Sequence, residues 1–213
     1  EEGKDASSVL AQKVQDTAIG ILKSGSREGQ PATDSANKVI SNGVIEVNGV
    51  SIDRANGTMS YKDERGNDVN VQFDQDKMTD KEFGEMLDIT NKYGGEAGVN
   101  VAKAKGEFVS LSGTDEEGRT YTEKPIDDKQ KGRTQVTVRT YDDDNSQQVI
   151  VQGHNSNYQT INQQRYDLTN DGSGDTRTYT LASGQSFTVE GELNINQASR
   201  TTYDSKSGEK TVD

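Results

Sequence analysis

The stretch Val44-Ile45-Glu46-Val47-Asn48-Gly49-Val50-Ser51-Ile52-Asp53 decides the fold class. Apolar and polar residues alternate on both sides of Asn48-Gly49, which is the period of a strand with one buried face. A two-residue type I′ turn needs positive φ at both central positions, and Asn-Gly reaches them at the least steric cost. The segment therefore predicts an antiparallel hairpin of Val44 to Val47 against Val50 to Asp53. A second turn at Asn56-Gly57 leads into Thr58 to Lys62, and the polar loop Asp63 to Asn67 leads into Asp68 to Phe73. Four strands in meander order follow.

Thr79-Asp80-Lys81-Glu82 then reads as a capping box, in which hydroxyl and carboxylate each bond the other residue's backbone amide. It starts a short helix with Phe83, Met86, Leu87 and Tyr93 on its apolar face, ended by Gly94-Gly95. After Gly106 the chain reads as strand and turn. The expected strands are Glu107 to Ser112, Arg119 to Glu123, Thr134 to Tyr141, Gln147 to Gln152, Gln163 to Leu168, Thr176 to Leu181, Gln185 to Ile195 and Arg200 to Tyr203. Each alternates Val, Tyr, Phe or Ile with Thr, Gln, Arg or Glu, so each has one apolar and one polar face, as a two-sheet sandwich or an edge-stacked array requires.

Ahead of the hairpin, residues 7 to 23 carry a helical seam of Leu10, Val14 and Ile21, with Ala11, Ala18 and Leu22 beside it. Ser24 to Asn37 is small, polar and Pro-containing, a linker composition. The fold expected is mainly β, with antiparallel hairpins in a sandwich-like arrangement, an N-terminal helix and one short internal helix. It divides into helix and linker (1–37), a small meander with its helix (38–105) and an antiparallel all-β part (106–213).

Composition narrows the function. Val, Ile, Leu and Phe number 38 of 213 residues, below the ~20% level at which a chain buries a core easily. With a mean hydropathy of -0.96, the core must be thin, and stability is expected to draw on neighbouring subunits, bound ions or a covalent Lys–Asn staple. There is no cysteine, so disulfides and thiolate metal sites are excluded. Acidic residues outnumber basic ones by 36 to 24, which repels phosphate backbones and anionic lipid and sets nucleic-acid and membrane-surface partners aside. No apolar run approaches the ~18 to 20 residues of a membrane span. The chain opens on Glu1 rather than Met, as after removal of a leader, maturation cleavage of a particle or excision from a longer protein.

Candidate sites are sparse. His154, the single histidine, sits in a polar stretch that reads as a surface loop. No serine lies in a Gly-x-Ser-x-Gly elbow. Carboxylates abound, as a glycoside hydrolase would need, but there is no Trp and only 6% aromatic residues to build the apolar walls that raise an acid's pKa. Asp171 and Asp175, in Asn170-Asp171-Gly172-Ser173-Gly174-Asp175, are the candidate calcium ligands. Their spacing matches neither the EF-hand loop nor the calcium β-roll, so a solvated turn is the simpler reading and no cofactor is expected. Tyr121, Tyr141 and Tyr179, with Tyr158 and Tyr166, are candidates for stacking on sugar faces or, more plainly, for filling strand faces.

Arg-Thr-Tyr recurs at 119–121, 139–141 and 177–179, and as Arg-Thr-Thr-Tyr at 200–203, a spacing compatible with one hairpin per unit or with ordinary half-exposed strand residues. Tyr61-Lys62-Asp63-Glu64-Arg65-Gly66 and Tyr203-Asp204-Ser205-Lys206-Ser207-Gly208 resemble the Tyr-Asp-and-Gly hairpins of YD-repeat shell proteins. The leading expectation is a non-catalytic structural or assembly protein of an exterior surface: a virion decoration, fibre or tail component, or a secreted appendage. It would self-associate or join neighbouring structural proteins through Leu10, Val14 and Ile21. A glycan- or host-surface-binding β module is the second expectation, and a carboxylate-based hydrolase the third.

Overall fold

Asn48 and Gly49 adopt φ of 50° and 77°, the two left-handed positions of a type I′ turn, and join β2 (Val44–Val47) to β3 (Val50–Asp53) in the expected register, Val47 opposite Val50. This computed structural model describes residues 37–39, 43–195, 199–203 and 210–212, with side chains over 43–195. The helical seam of Leu10, Val14 and Ile21 and most of the linker lie outside the described residues.

The meander continues through β4 (Thr58–Lys62) and β5 (Asp68–Phe73), then β6 (Phe108–Thr114), β7 (Thr120–Pro125), β8 (Thr134–Tyr141), β9 (Gln147–His154) and β10 (Thr160–Thr169), each antiparallel to the one before. Short strands flank this body. β1 (Asn37–Val39) pairs β2, β13 (Glu192–Leu193) and β14 (Ser199–Tyr203) both pair β10, and β15 (Lys210–Val212) pairs β14. The sheet is open. β5 pairs β6 directly, so it runs without interruption from the first meander into the part that follows Gly106.

Mainly β with antiparallel hairpins is thus the observed class, but the layering differs from two stacked sheets. The second layer is a single hairpin, β11 (Thr176–Thr180) with β12 (Ser186–Glu190), whose Phe187 and Val189 pack on Val136, Val149 and Val151. The expected strand Gln185 to Ile195 is broken at Gly191, where φ is 113°.

Following one row across the registers shows how the sheet economises on apolar residues. Ile45, Ile52, Met59, Val71 and Leu111 are successive cross-strand neighbours, and the same row goes on as Glu123, Arg139 and Gln148. On the opposite face Ser51, Ser60, Asn70, Ser112 and Thr122 form the matching row. Beyond it that face becomes apolar, with Val138 opposite Val149 and Val149 opposite Tyr166. The apolar face therefore changes sides around β7. Two helices cover it before the change and the β11–β12 hairpin covers it after.

The helices are α1 (Asp80–Tyr93) and α2 (Gly95–Ala104). α1 begins with the expected capping box, the Glu82 amide donating to Thr79 Oγ1 at 3.1 Å and the Thr79 amide to Glu82 Oε1 at 2.9 Å. Phe83, Met86 and Leu87 are fully buried against the meander. Only one internal helix was expected here, because Gly94-Gly95 reads as a stop. Gly94, at φ 97°, does end α1, but the chain turns at once into α2. Gly98 lets the two helices close up, since a Cβ there would lie 2.1 Å from Thr90 Oγ1.

Under the α1 cap sits Glu107, 4% exposed, with Oε1 unpartnered. Burial and the adjoining Glu82 carboxyl push its pKa up to about 8. The folded chain thus keeps a proton that the unfolded chain releases near pH 4 to 5, and the stability tied to that proton is lost as pH rises from there to about 8. The melting temperature should fall between pH 5 and pH 9 in the wild-type chain and fall less in Glu107→Gln; parallel curves would refute this. Gly49→Val should cost about 1 kcal/mol or more in denaturant titration, through positive φ forced on a β-branched residue.

Candidate functional site

α2 lies over β6, β8 and β10, where the sheet face beneath it turns polar. Its first turn, the β4–β5 turn at residues 62–65 and the β6–β7 turn at residues 114–116 wall a cleft of about 430 Å³. Tyr61, Tyr121, Glu123, Arg139, Gln152 and Arg165 contribute to its lining.

A buried charge cluster lies at its base. Glu123 and Arg139, opposite each other on β7 and β8, are 3% and 5% exposed. Arg139 donates from Nε and Nη2 to Glu123 Oε1, both at 3.1 Å, and Thr137 Oγ1 donates to Glu123 Oε2 at 2.8 Å. Lys103 of α2 approaches the same carboxylate at 4.0 Å. Burial pushes the Glu123 carboxyl up, but the charges of Arg139 and Lys103 and the hydrogen bonds outweigh it and hold the group below its ordinary value. Bare desolvation of such a pair costs several kcal/mol, so the additional bonds are what make it tolerable.

A second network ties α2 to β9 and β10. Thr160 Oγ1 donates to Glu96 Oε2 at 2.6 Å and accepts from Asn100 Nδ2 at 2.9 Å and Gln152 Nε2 at 3.2 Å. Gln152 Nε2 also meets Asn100 Oδ1 at 3.1 Å, and Gln163 Nε2 donates to Gln152 Oε1 at 3.2 Å. Asn100 Nδ2 donates to the Tyr158 carbonyl as well, so its amide is spent on hydrogen bonds. At the cleft mouth Arg165 grips Glu116 with both terminal nitrogens, at 3.2 and 2.6 Å, and holds that carboxyl down at about 2.

Tyr121 and Tyr141 are brought together as cross-strand partners, edge to face at 6.0 Å. The Arg139 guanidinium lies 3.7 Å from the Tyr121 ring centroid and that of Arg119 lies 3.9 Å from Tyr141. Two copies of the Arg-Thr-Tyr triplet thereby form one cluster, a pair of tyrosine rings with a guanidinium against each. Tyr179 lies apart, in the second core, stacked on Phe187 with its hydroxyl accepting from the Leu193 amide at 3.0 Å. Asp171 and Asp175 fall in the turn between β10 and β11, where the Asp171 carboxylate accepts from the Ser173 amide and the Asp175 amide donates to Ser173 Oγ. Among the described residues no three carboxylates or histidines converge as metal ligands, and no helix is long and apolar enough to cross a membrane.

His154 corrects the surface-loop reading. It ends β9, is 3% exposed and stacks on Tyr158 at 5.3 Å. Burial, with the charges of Arg133 and Lys103, pushes its imidazole down to about 4 and keeps it neutral near pH 7. Sequence reasoning also missed Glu96, Asn100, Lys103, Glu123 and Arg139. One signal was present: Tyr121 and Tyr141 share their strand faces with Glu123 and Arg139, and aromatic rings on a face otherwise polar indicate that something covers it.

Compared with known protein families, curated proteins and solved structures, the chain has no match. The cleft is therefore interpreted from its own chemistry. Arg139→Met would leave Glu123 buried without its main partner and should cost about 3 to 5 kcal/mol. The double variant Glu123→Leu/Arg139→Met should lose less than that single variant in urea titration; equal or greater loss would contradict the pairing.

Proposed function

We propose that this chain is a non-catalytic structural and assembly module of an exterior surface, such as a virion decoration, fibre or tail component or a secreted appendage. The observation that carries the reading is the open, largely single-layer sheet. Among the described residues β1 and β15 each have a strand neighbour on one side only, and an unpaired edge presents backbone donors and acceptors to another chain. The cleft supports the non-catalytic part. Glu123 and Glu116 are both held low by arginine partners, whereas a general acid needs a raised pKa.

Light scattering on the whole chain should show mass rising with concentration toward a defined oligomer. Thr211→Pro and Val212→Pro scan the β15 edge, because alternate residues of an edge strand aim their amides outward. One of the two should dissociate the oligomer while the circular dichroism spectrum is kept. A chain monomeric at every concentration would overturn the assembly reading.

Binding of a glycan or host surface is the second reading, favoured by one observation. Tyr93, 39% exposed, lines the same cleft as Tyr61 and Tyr121, so an aromatic ring stands accessible beside planar polar groups such as Gln163 and Arg65. A glycan array would support this reading if it gave a hit that Tyr93→Ala abolishes.

A further inference from the structure

At the other end of α2 lies a second cleft, of about 680 Å³, bounded by the turn from α2 into β6, the end of β7 and the connection from β7 to β8. The chain as a whole carries -12, yet five of the nine lysines between residues 43 and 195 line this cleft: Lys77, Lys103, Lys105, Lys124 and Lys131. Such a concentration in an acidic protein sets up a local positive field. Lys105 is engaged by Glu85 at 3.1 Å and Lys77 approaches Asp74 at 3.9 Å. Lys124 and Lys131 form no ion pair among the described residues. Lys103 is 6% exposed, and its ammonium meets Glu123 only at 4.0 Å and the Phe108 ring centroid at 5.0 Å.

Two aspartates, Asp127 and Asp128, share the lining and offset two of these five charges. The Asp127 carboxylate is turned back on its own loop, accepting from the Lys129 amide at 2.8 Å and from Gln130 Nε2 at 2.9 Å. Asp128 is the other aspartate of the lining, and Glu107, pushed up to about 8 by burial and by Glu82, is uncharged at neutral pH. The lining also includes Pro125 and Val109, the latter 43% exposed, apolar surfaces against which a ring can lie.

We propose that this cleft binds a short sulfated oligosaccharide, with Lys124 and Lys131 as its sulfate-directed cations. Ammonium groups act as compact point charges suited to tetrahedral oxyanions. A cleft of this size falls in the range for a small organic ligand and exceeds the needs of one bare anion. Apolar surface beside polar side chains matches the faces and rim of a sugar ring, and the chain's overall negative charge disfavours a long polyanion such as nucleic acid. This site goes beyond the assembly reading and stands whether or not the chain self-associates.

The test is isothermal titration of the whole chain at pH 7 with a sulfated disaccharide, its unsulfated counterpart and inorganic sulfate. Saturable binding of the sulfated sugar is expected, weakening several-fold as salt rises from about 20 to about 200 mM. Lys124→Gln/Lys131→Gln, checked for an unchanged circular dichroism spectrum, should lower affinity at least tenfold. Lys81→Gln/Lys92→Gln on α1 should leave it unchanged. The proposal is overturned if the sulfated sugar shows no saturable binding, if inorganic sulfate or the unsulfated sugar binds equally well, or if the Lys124/Lys131 variant binds as the wild type does.

Discussion

The structure depends on a shortage of apolar residues. A sheet whose two faces both had to be covered by hydrocarbon would need far more Val, Ile, Leu and Phe than the 38 this chain carries. The chain meets the shortage by covering the sheet on one side at a time. Strands β2 to β6 bury the face that α1 and α2 cover, strands β8 to β10 bury the other face beneath the β11–β12 hairpin, and the change falls around β7. Two cores result from one continuous ladder.

A change of side has a cost where the two arrangements overlap. β8 and β9 are covered on both faces, so residues on their polar face are removed from water while remaining polar. Buried polar groups are tolerated only when bonded, and the pairing of Glu123 with Arg139 and Thr137, together with the Thr160, Asn100 and Gln152 network, supplies those bonds. α2 is central to both. It holds Glu96 over one cleft and Asn100 in the buried network beneath, and its Lys103 stands between that cleft and the lysine-lined one.

Elements whose cause is local were legible in the sequence. Asn48-Gly49 specifies its turn because two consecutive left-handed residues are costly for anything else, and Thr79 to Glu82 specifies a helix start because its bonds span three residues. Most period-2 strands were legible for the same reason, though β10 begins three residues before the expected Gln163 and the expected Gln185 to Ile195 is divided between β12 and β13. α2 was not: Gly94-Gly95 has the local signature of a helix stop, whereas the close packing of α2 on α1 rests on Gly98 facing Thr90, which depends on what lies opposite. His154 was misread in the same way, since a polar neighbourhood in sequence carries no information about the Tyr158 ring stacked on it or the chain that covers it.

The sequence by itself determined that this is a thinly cored, cysteine-free, antiparallel β protein with a meander and a capped helix, because composition and short-range backbone chemistry act within a few residues. Tertiary structure alone decided which side of each strand is buried. Alternation reveals that a strand has two unlike faces, but whether its polar face meets water or a helix depends on registers and crossings tens of residues apart. The Glu123–Arg139 pair is the clearest consequence. As letters, both are ordinary exposed strand residues; placed opposite each other beneath α2, they become a buried ion pair at the base of a cleft.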